Sequence, residues 1–321
     1  MRFRPALVSL TGFATLVAVA VSGATCKGGD PAPAATPPKS PIEPAKVQPP
    51  EPVVKAPEVT DIPGVDISLV PPSFRADFVR LMNETFCYCG CPRTLASCLS
   101  NRADCGCVKC SERMTQFILE QFRVGMSTQD VEFQLLEGFA EGFNGPNIEV
   151  DTSNHPMKGK QDARHTMIEF ADFRCGHCAA AFPVVKKLVE TRPDVRVFYF
   201  YFPLGDDQSP SILIAEAAEE ARKQGKFWEY AEQLFLNQHN LDPAKLMELA
   251  QKVGLDKAKL KDALDKHTHR ATVLSDKRLG ISLGVASTPT FYVDGRPFGL
   301  DRTLDSFVMR LDMESERGQC K

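Results

Sequence analysis

The sequence predicts an α/β domain carrying a helical insertion and preceded by a small cysteine-rich helical domain, and three observations carry that prediction. An apolar segment, Thr166 to Ala171, leads into Cys175-Gly176-His177-Cys178 and then a helical stretch, Ala179 to Glu190. A long aromatic strand, Val195 to Phe202, is followed by a helical block, a hairpin near Thr290 and a last helix. Upstream, seven cysteines fall within 24 residues, Cys87 to Cys110, between two amphipathic helices.

At 321 residues the chain has room for two modest domains, and 43% hydrophobic with 25% charged residues is ordinary globular composition. A net charge of -3 gives no reason to expect a nucleic acid or an acidic membrane surface as partner. Eleven cysteines require either an oxidising compartment or a metal to keep them harmless.

The N-terminus answers which. Arg2 and Arg4 precede an uncharged run, Ala6 to Ser22, followed by Gly23-Ala24-Thr25-Cys26. This reads as an export signal over residues 1–25. Small residues before a cysteine resemble the bacterial lipoprotein signal, which implies lipidation of Cys26 and attachment to a membrane. The alternatives are ordinary cleavage or an uncleaved anchor, since the run is near the short end for crossing a bilayer at about 17 residues. Each places the remainder outside the cytoplasm, in the periplasm or cell envelope. Residues 26–72 read as a tether: Pro31 to Pro72 holds 13 of the 24 prolines and no periodic apolar face. In the polyproline conformation it spans up to ~100 Å.

Residues 73–144 form the cysteine-rich helical domain. Phe74, Phe78, Leu81, Met82 and Phe86 share one helix face, and Met114, Phe117, Ile118 and Phe122 share another. Ser127 with Asp130 marks the start of a third helix, with Val131, Leu135 and Phe139 as its buried stripe. Between the first two lie Cys87, Cys89, Cys91, Cys98, Cys105, Cys107 and Cys110. In an exported protein these read first as disulfide staples of a small core, with Cys320 available to make the number even. A second reading is a thiolate metal site, for which Cys107-Val108-Lys109-Cys110 and Cys87 to Cys91 offer ligand spacing. A third is a second redox centre in exchange with Cys175 and Cys178. The run Cys-x-Cys-x-Cys-Pro-x-Thr-Leu-x-x-Cys, then helix, Gly125-x-Ser127 turn and helix, resembles the helical periplasmic domain of cytochrome c maturation proteins of the CcmH type. Their redox pair is Cys-x-x-Cys, from which Cys87 to Cys91 departs. No Cys-x-x-Cys-His occurs, so covalent haem attachment is excluded.

Residues 145–163 read as a connecting segment, with Gly145-Pro146 and His155-Pro156, before the α/β domain at residues 164–316. Helical spacing runs through Ile214, Ala217, Ala218 and Ala221, then Phe227, Tyr230, Ala231 and Leu234, then Leu246, Leu249, Ala250 and Val253. Asp242-Pro243 supplies an N-cap and a first-turn proline, and Asp256 caps a further helix. Asp294-Gly295 makes the hairpin turn, a last helix covers about Asp301 to Glu316, and residues 317–321 are a tail. His155, His165, His239, His267 and His269 fall in loops or on polar helix faces and read as solvated.

A helix N-terminus favours a thiolate over a thiol, through unpaired N–H groups and a partial positive charge. Cys175 is therefore the candidate nucleophile and Cys178 the resolving thiol, with His177 adding charge or a hydrogen bond beside the thiolate. With no second Cys/His pair nearby, redox chemistry is preferred to zinc.

Strand, Cys-x-x-Cys helix, strand, helical insertion, hairpin and final helix is the order of a thioredoxin fold with an inserted helical domain, and the chain here resembles the DsbA-like family of envelope disulfide oxidoreductases. Ser287-Thr288-Pro289-Thr290 matches that family's Thr/Val-Pro motif. The resemblance implies that Pro289 is cis and that Thr288 and Pro289 dock an extended substrate peptide. It also implies that Glu169 is the buried acid of the strand before the motif, relaying a proton for the resolving thiol; the alternative is a solvent-facing or edge glutamate. No cofactor is expected. The implied activity is forming or rearranging disulfides in unfolded or reduced exported proteins, with a membrane redox partner. A reductant in cytochrome c or metallocentre assembly is one alternative, and a tethered metal-binding or peptide-docking protein is another.

Overall fold

The computed structural model describes residues 60–317 of the chain. The expected export signal, Cys26 and Cys320 lie outside the described residues. The described residues fall within one compact unit.

The chain enters the core earlier than the expected tether allows. Ile62 and Val70 are buried at 2% and 0% exposure, flanking a short 3-10 turn, Ile67–Leu69, capped by Asp66. The proline-rich composition through residue 72 is therefore not tether throughout: two apolar side chains among the prolines suffice to pin its end. Helix α1 (Arg75–Glu84) buries Phe78, Leu81 and Met82. Helix α2 (Leu95–Ser100) is capped by Thr94 and α3 (Val108–Arg123) begins at Cys107. Ser127 accepts from the Asp130 N–H to start α4 (Thr128–Gln134), which runs through a π-helical turn, Leu135–Glu141, into α5 (Gly142–Asn144).

Strand β1 (Met157–Gly159) follows, inside the segment that the sequence reads as a connection. Three residues are too few for a periodic signal, and β1 is recognisable only by its antiparallel pairing with β3 (Val195–Tyr201). Strand β2 (His165–Ala171), α6 (Gly176–Thr191) and β3 form a parallel β-α-β unit. Helices α7 (Pro210–Lys223), α8 (Phe227–Leu236), α9 (Pro243–Lys252) and α10 (Lys257–Asp265) make the insertion. Helix α11 (Arg270–Ser282) returns to β4 (Thr290–Val293), β5 (Arg296–Pro297) and α12 (Leu304–Ser315). The sheet order is β1-β3-β2-β4-β5. Asp294 and Gly295 take φ of 47° and 80°, the left-handed pair that a two-residue hairpin turn requires.

The two sheet faces bury different cores. Ile168, Phe170, Phe198, Phe200, Phe202 and Tyr292 pack with Val285 and Leu279 beneath α11. On the opposite face Ala171, Tyr199 and Tyr201 meet the inserted helices together with Phe173, Cys175 and Cys178. Near the sheet's other end that face continues into one core shared by Met167, Val197, Phe291 and Phe307 with Phe78, Phe117 and Phe139 of the cysteine-rich region. Arg310 of α12, fully buried, ties the two parts: it donates to Gly142 O at 2.9 Å and Pro297 O at 3.0 Å and pairs with Glu314 at 3.0 Å. This is a thioredoxin fold with inserted helices, preceded by a cysteine-rich helical region.

Three histidines expected to be solvated are partnered, His165 and His269 buried and His155 partly so. His165 is 2% exposed, bonded to Asp294 at 2.6 Å and Ser315 at 2.8 Å. His269 pairs with Glu220 at 2.7 Å, and His155 stacks on Phe200 and meets Asp276 at 3.1 Å. Their polar partners are distant in sequence, so local pattern could not place them. His239 and His267 are exposed, the latter beside Glu216.

Candidate active site

Asp172 sets the turn between β2 and the cysteine helix. Its Oδ1 accepts from the Arg174 N–H at 2.8 Å; its Oδ2 accepts from the Leu204 N–H at 2.8 Å and the Ser211 hydroxyl at 2.9 Å. The end of β2 is thereby fixed to the β3–α7 connection, and Cys175 falls at the N-cap of α6 with φ -79° and ψ 121°. The helix starts at Gly176, three residues before the sequence pattern shows it, because glycine, histidine and cysteine carry no periodic apolar signal.

The two thiols differ in access. Both are unbonded; Cys175 is 9% exposed and Cys178 is 0%. Cys175 Sγ donates to the Thr288 carbonyl at 3.3 Å. The Thr288–Pro289 bond is cis, Pro289 is buried, and its carbonyl accepts from Arg302 at 3.2 Å. The cis peptide thus lies against the Cys175 sulfur. His177 is exposed on the first turn of α6.

Behind the pair the polar side chains of Glu169 and Tyr199 are fully buried among apolar ones. Burial pushes the Cys178 thiol far up, and the charges of Glu169 and Cys175 push it further, against the Asp172 backbone and the Thr288 hydroxyl. Glu169, central in β2, pairs with Tyr199 on β3 and Phe291 on β4. It is fully buried, not solvent-facing, and burial pushes its carboxyl up to about 8. Among the described residues neither of its oxygens has a hydrogen-bond partner, nor has the Tyr199 hydroxyl. A carboxyl without donors in an apolar surround holds its proton near neutrality, which is what a proton relay needs. Tyr199, Asp172 and Arg302 are the residues that sequence reasoning did not single out. Asp172 had a signal, an aspartate two residues before an N–H in a turn; the other two are identified only by what they face.

The seven upstream cysteines are not a set of free ligands. Cys89 is joined to Cys107 and Cys98 to Cys105, and Cys110 is also disulfide-bonded. Cys87 and Cys91 are thiols. Stapling accounts for most of the cluster, and the metal reading loses five of its seven candidate thiolates in this state.

Comparisons with known proteins follow the same half of the chain. A family model described as Thioredoxin matches residues 151–313. The chain is 34% identical over 161 residues to the Na(+)/H(+) antiporter NhaA 3 of Salinispora tropica, a match covering 50% of this chain and 25% of that protein. It therefore spans about a quarter of the length of the curated relatives it matches. Among solved structures, oxidised BdbD from Bacillus subtilis is 26% identical with a TM-score of 0.47, over 52% of this chain and 96% of that one. A thioredoxin-like oxidoreductase from Silicibacter pomeroyi is 27% identical with a TM-score of 0.44, over 51% and 94%. The matched residues contain β2, the Cys175 helix, the insertion and the Thr288–Pro289 hairpin, so the region that builds the site is the region the family model covers, and the chain belongs to the thioredoxin family.

Proposed function

We propose that this chain is an exported thiol–disulfide oxidoreductase that forms or rearranges disulfides in reduced or unfolded exported proteins through the Cys175/Cys178 couple. The observation that carries the reading is the asymmetry of the pair: Cys175 at a helix N-terminus and reachable, Cys178 sealed beneath it. In the oxidising direction a substrate thiolate attacks Cys175 Sγ of the Cys175–Cys178 disulfide. The Cys175–Cys178 bond breaks as the mixed disulfide forms, and Cys178 takes up a proton, for which protonated Glu169 is the nearby source. A second substrate thiolate attacks the substrate sulfur of the mixed disulfide; the substrate leaves oxidised and Cys175 leaves as a thiolate held by the helix terminus. The described dithiol is the end of that half-reaction, and a membrane redox partner that removes two electrons would complete the cycle. In the isomerising direction Cys175 thiolate attacks a wrong substrate disulfide and no net electrons are exchanged.

Export is supported by the Cys89–Cys107 and Cys98–Cys105 disulfides, bonds of a kind that persists in an oxidising compartment. Among the described residues no helix is long and apolar enough to cross a membrane, and attachment through a lipid on Cys26 remains part of the proposal. The test is capture. Incubated with a protein bearing a non-native disulfide, the Cys178→Ser chain should retain it as a mixed disulfide through Cys175, and Cys175→Ser should retain none. A Cys178→Ser chain that forms no adduct, alongside a wild type that leaves the substrate's disulfides unchanged, would sink the reading.

A further inference from the structure

The cysteine-rich region contains a second helix start built like the first. Cys107 is the N-cap of α3 and Cys110 stands in that helix's first turn, the placement that Cys175 and Cys178 take at α6. Here the N-cap cysteine is bonded to Cys89. Buried beside that disulfide is the Cys87 thiol, 3% exposed, whose Sγ lies 3.1 Å from Cys89 Sγ. No atom separates them.

Exchange between a thiol and a disulfide needs contact with the sulfur attacked and a leaving thiolate that is stabilised. Burial pushes the Cys87 thiol up; the Cys89 backbone, the Ser111 hydroxyl and the Arg113 charge act the other way. The Ser111 hydroxyl is fully buried and has no geometric hydrogen-bond partner among the described residues, which leaves it available to this sulfur. On the leaving side, Cys107 would depart at the positive end of a 16-residue helix, which lowers a thiol's pKa and makes it a better leaving group. Disulfide staples need neither feature.

We propose that Cys87, Cys89 and Cys107 form a second thiol–disulfide exchange site, in which the bridge moves between Cys89–Cys107 and Cys87–Cys89. Cys87 thiolate attacks Cys89 Sγ; the Cys87–Cys89 bond forms as Cys89–Cys107 breaks, and the electron pair leaves on Cys107, which takes the proton Cys87 gave up. Nothing is oxidised or reduced overall, so no outside reagent is required. The exchange moves the thiol from a buried pocket to a helix N-terminus. It neither needs nor feeds Cys175 and Cys178, so it stands or falls apart from the function proposed above.

Trypsin places the participants in separate peptides: residues 81–93 hold Cys87, Cys89 and Cys91, and residues 103–109 hold Cys105 and Cys107. The full chain, incubated at pH 8 without reductant, acid-quenched, alkylated with N-ethylmaleimide and digested, should yield two populations. One carries the crosslink from 81–93 to 103–109. The other carries a Cys87–Cys89 bridge inside 81–93, assigned from fragment masses, with Cys107 alkylated; Cys87→Ala should abolish it. Complete alkylation of Cys87 with Cys107 wholly crosslinked would overturn the proposal. So would alkylated Cys107 persisting in Cys87→Ala, which would assign the exchange to a sulfur other than that of Cys87. One equivalent of zinc released on acidification, with all these thiols unbridged, would make the cluster a metal site and overturn it as well. The wild-type measurement decides the matter even if the variant does not fold.

Discussion

Glu169→Gln is the substitution that most sharply tests the pocket behind the cysteines. In the folded chain burial raises the carboxyl from its ordinary 4.5 to about 8, with no opposing hydrogen bond. A raised folded-state pKa means that the contribution to stability is fully present below about 4.5 and is lost as pH climbs toward 8. At about 1.4 kcal/mol per pH unit, the whole loss is about 5 kcal/mol above pH 8 and about 3 kcal/mol at pH 7. Glutamine keeps the shape and cannot ionise. Its amide brings a cost of its own, but one that does not vary with pH, so the diagnostic is the difference in slope. Urea unfolding of both chains at pH 5, 6, 7 and 8, with Cys175 and Cys178 as dithiol and the upstream disulfides intact, should show the variant gaining on the wild type by about 1 kcal/mol per unit across the upper part of that range. Parallel stability curves from pH 5 to 8 would refute a protonated, uncompensated Glu169.

Other substitutions probe the framework that holds the site. Arg310→Met leaves Glu314 with Arg317 as its remaining guanidinium partner and removes the donor to the Gly142 and Pro297 carbonyls, which should cost about 2–3 kcal/mol in urea unfolding. Asp172→Ala releases two backbone N–H groups and the Ser211 hydroxyl, with an expected loss of about 3 kcal/mol and faster proteolysis in the 203–209 connection. Gly280→Ala would set a methyl 2.6 Å from the Phe202 ring and 3.1 Å from Phe170, so α11 must lift from the sheet; about 1–3 kcal/mol should be lost, read as a lowered Tm.

Much of this architecture is legible in the sequence because its signals are local. Cys175-x-x-Cys178 after an apolar strand, Asp242 and Asp256 as caps, and Asp294-Gly295 as a hairpin turn each encode their own geometry. Helix α11 is legible only in part, since the face it buries is Val273, Asp276 and Gly280 rather than an apolar stripe. Glu169 left two readings open because one acidic residue in a strand does not say which face is covered; the register with Tyr199 and Phe291 does. The cysteine pairings were beyond sequence for a different reason. Cys89 and Cys107 are 18 residues apart with five other cysteines between or beside them, and spacing does not distinguish which of several sulfurs meet.

Equilibration of the chain with mixtures of reduced and oxidised glutathione, followed by mass analysis of the peptide containing Cys175 and Cys178, tests the central claim directly. The account predicts one transition from dithiol to internal disulfide, steep as a two-electron couple should be, with a tenfold change in the ratio per about 30 mV. A Cys175–glutathione adduct that persists at every ratio, with no Cys175–Cys178 disulfide formed, would contradict it.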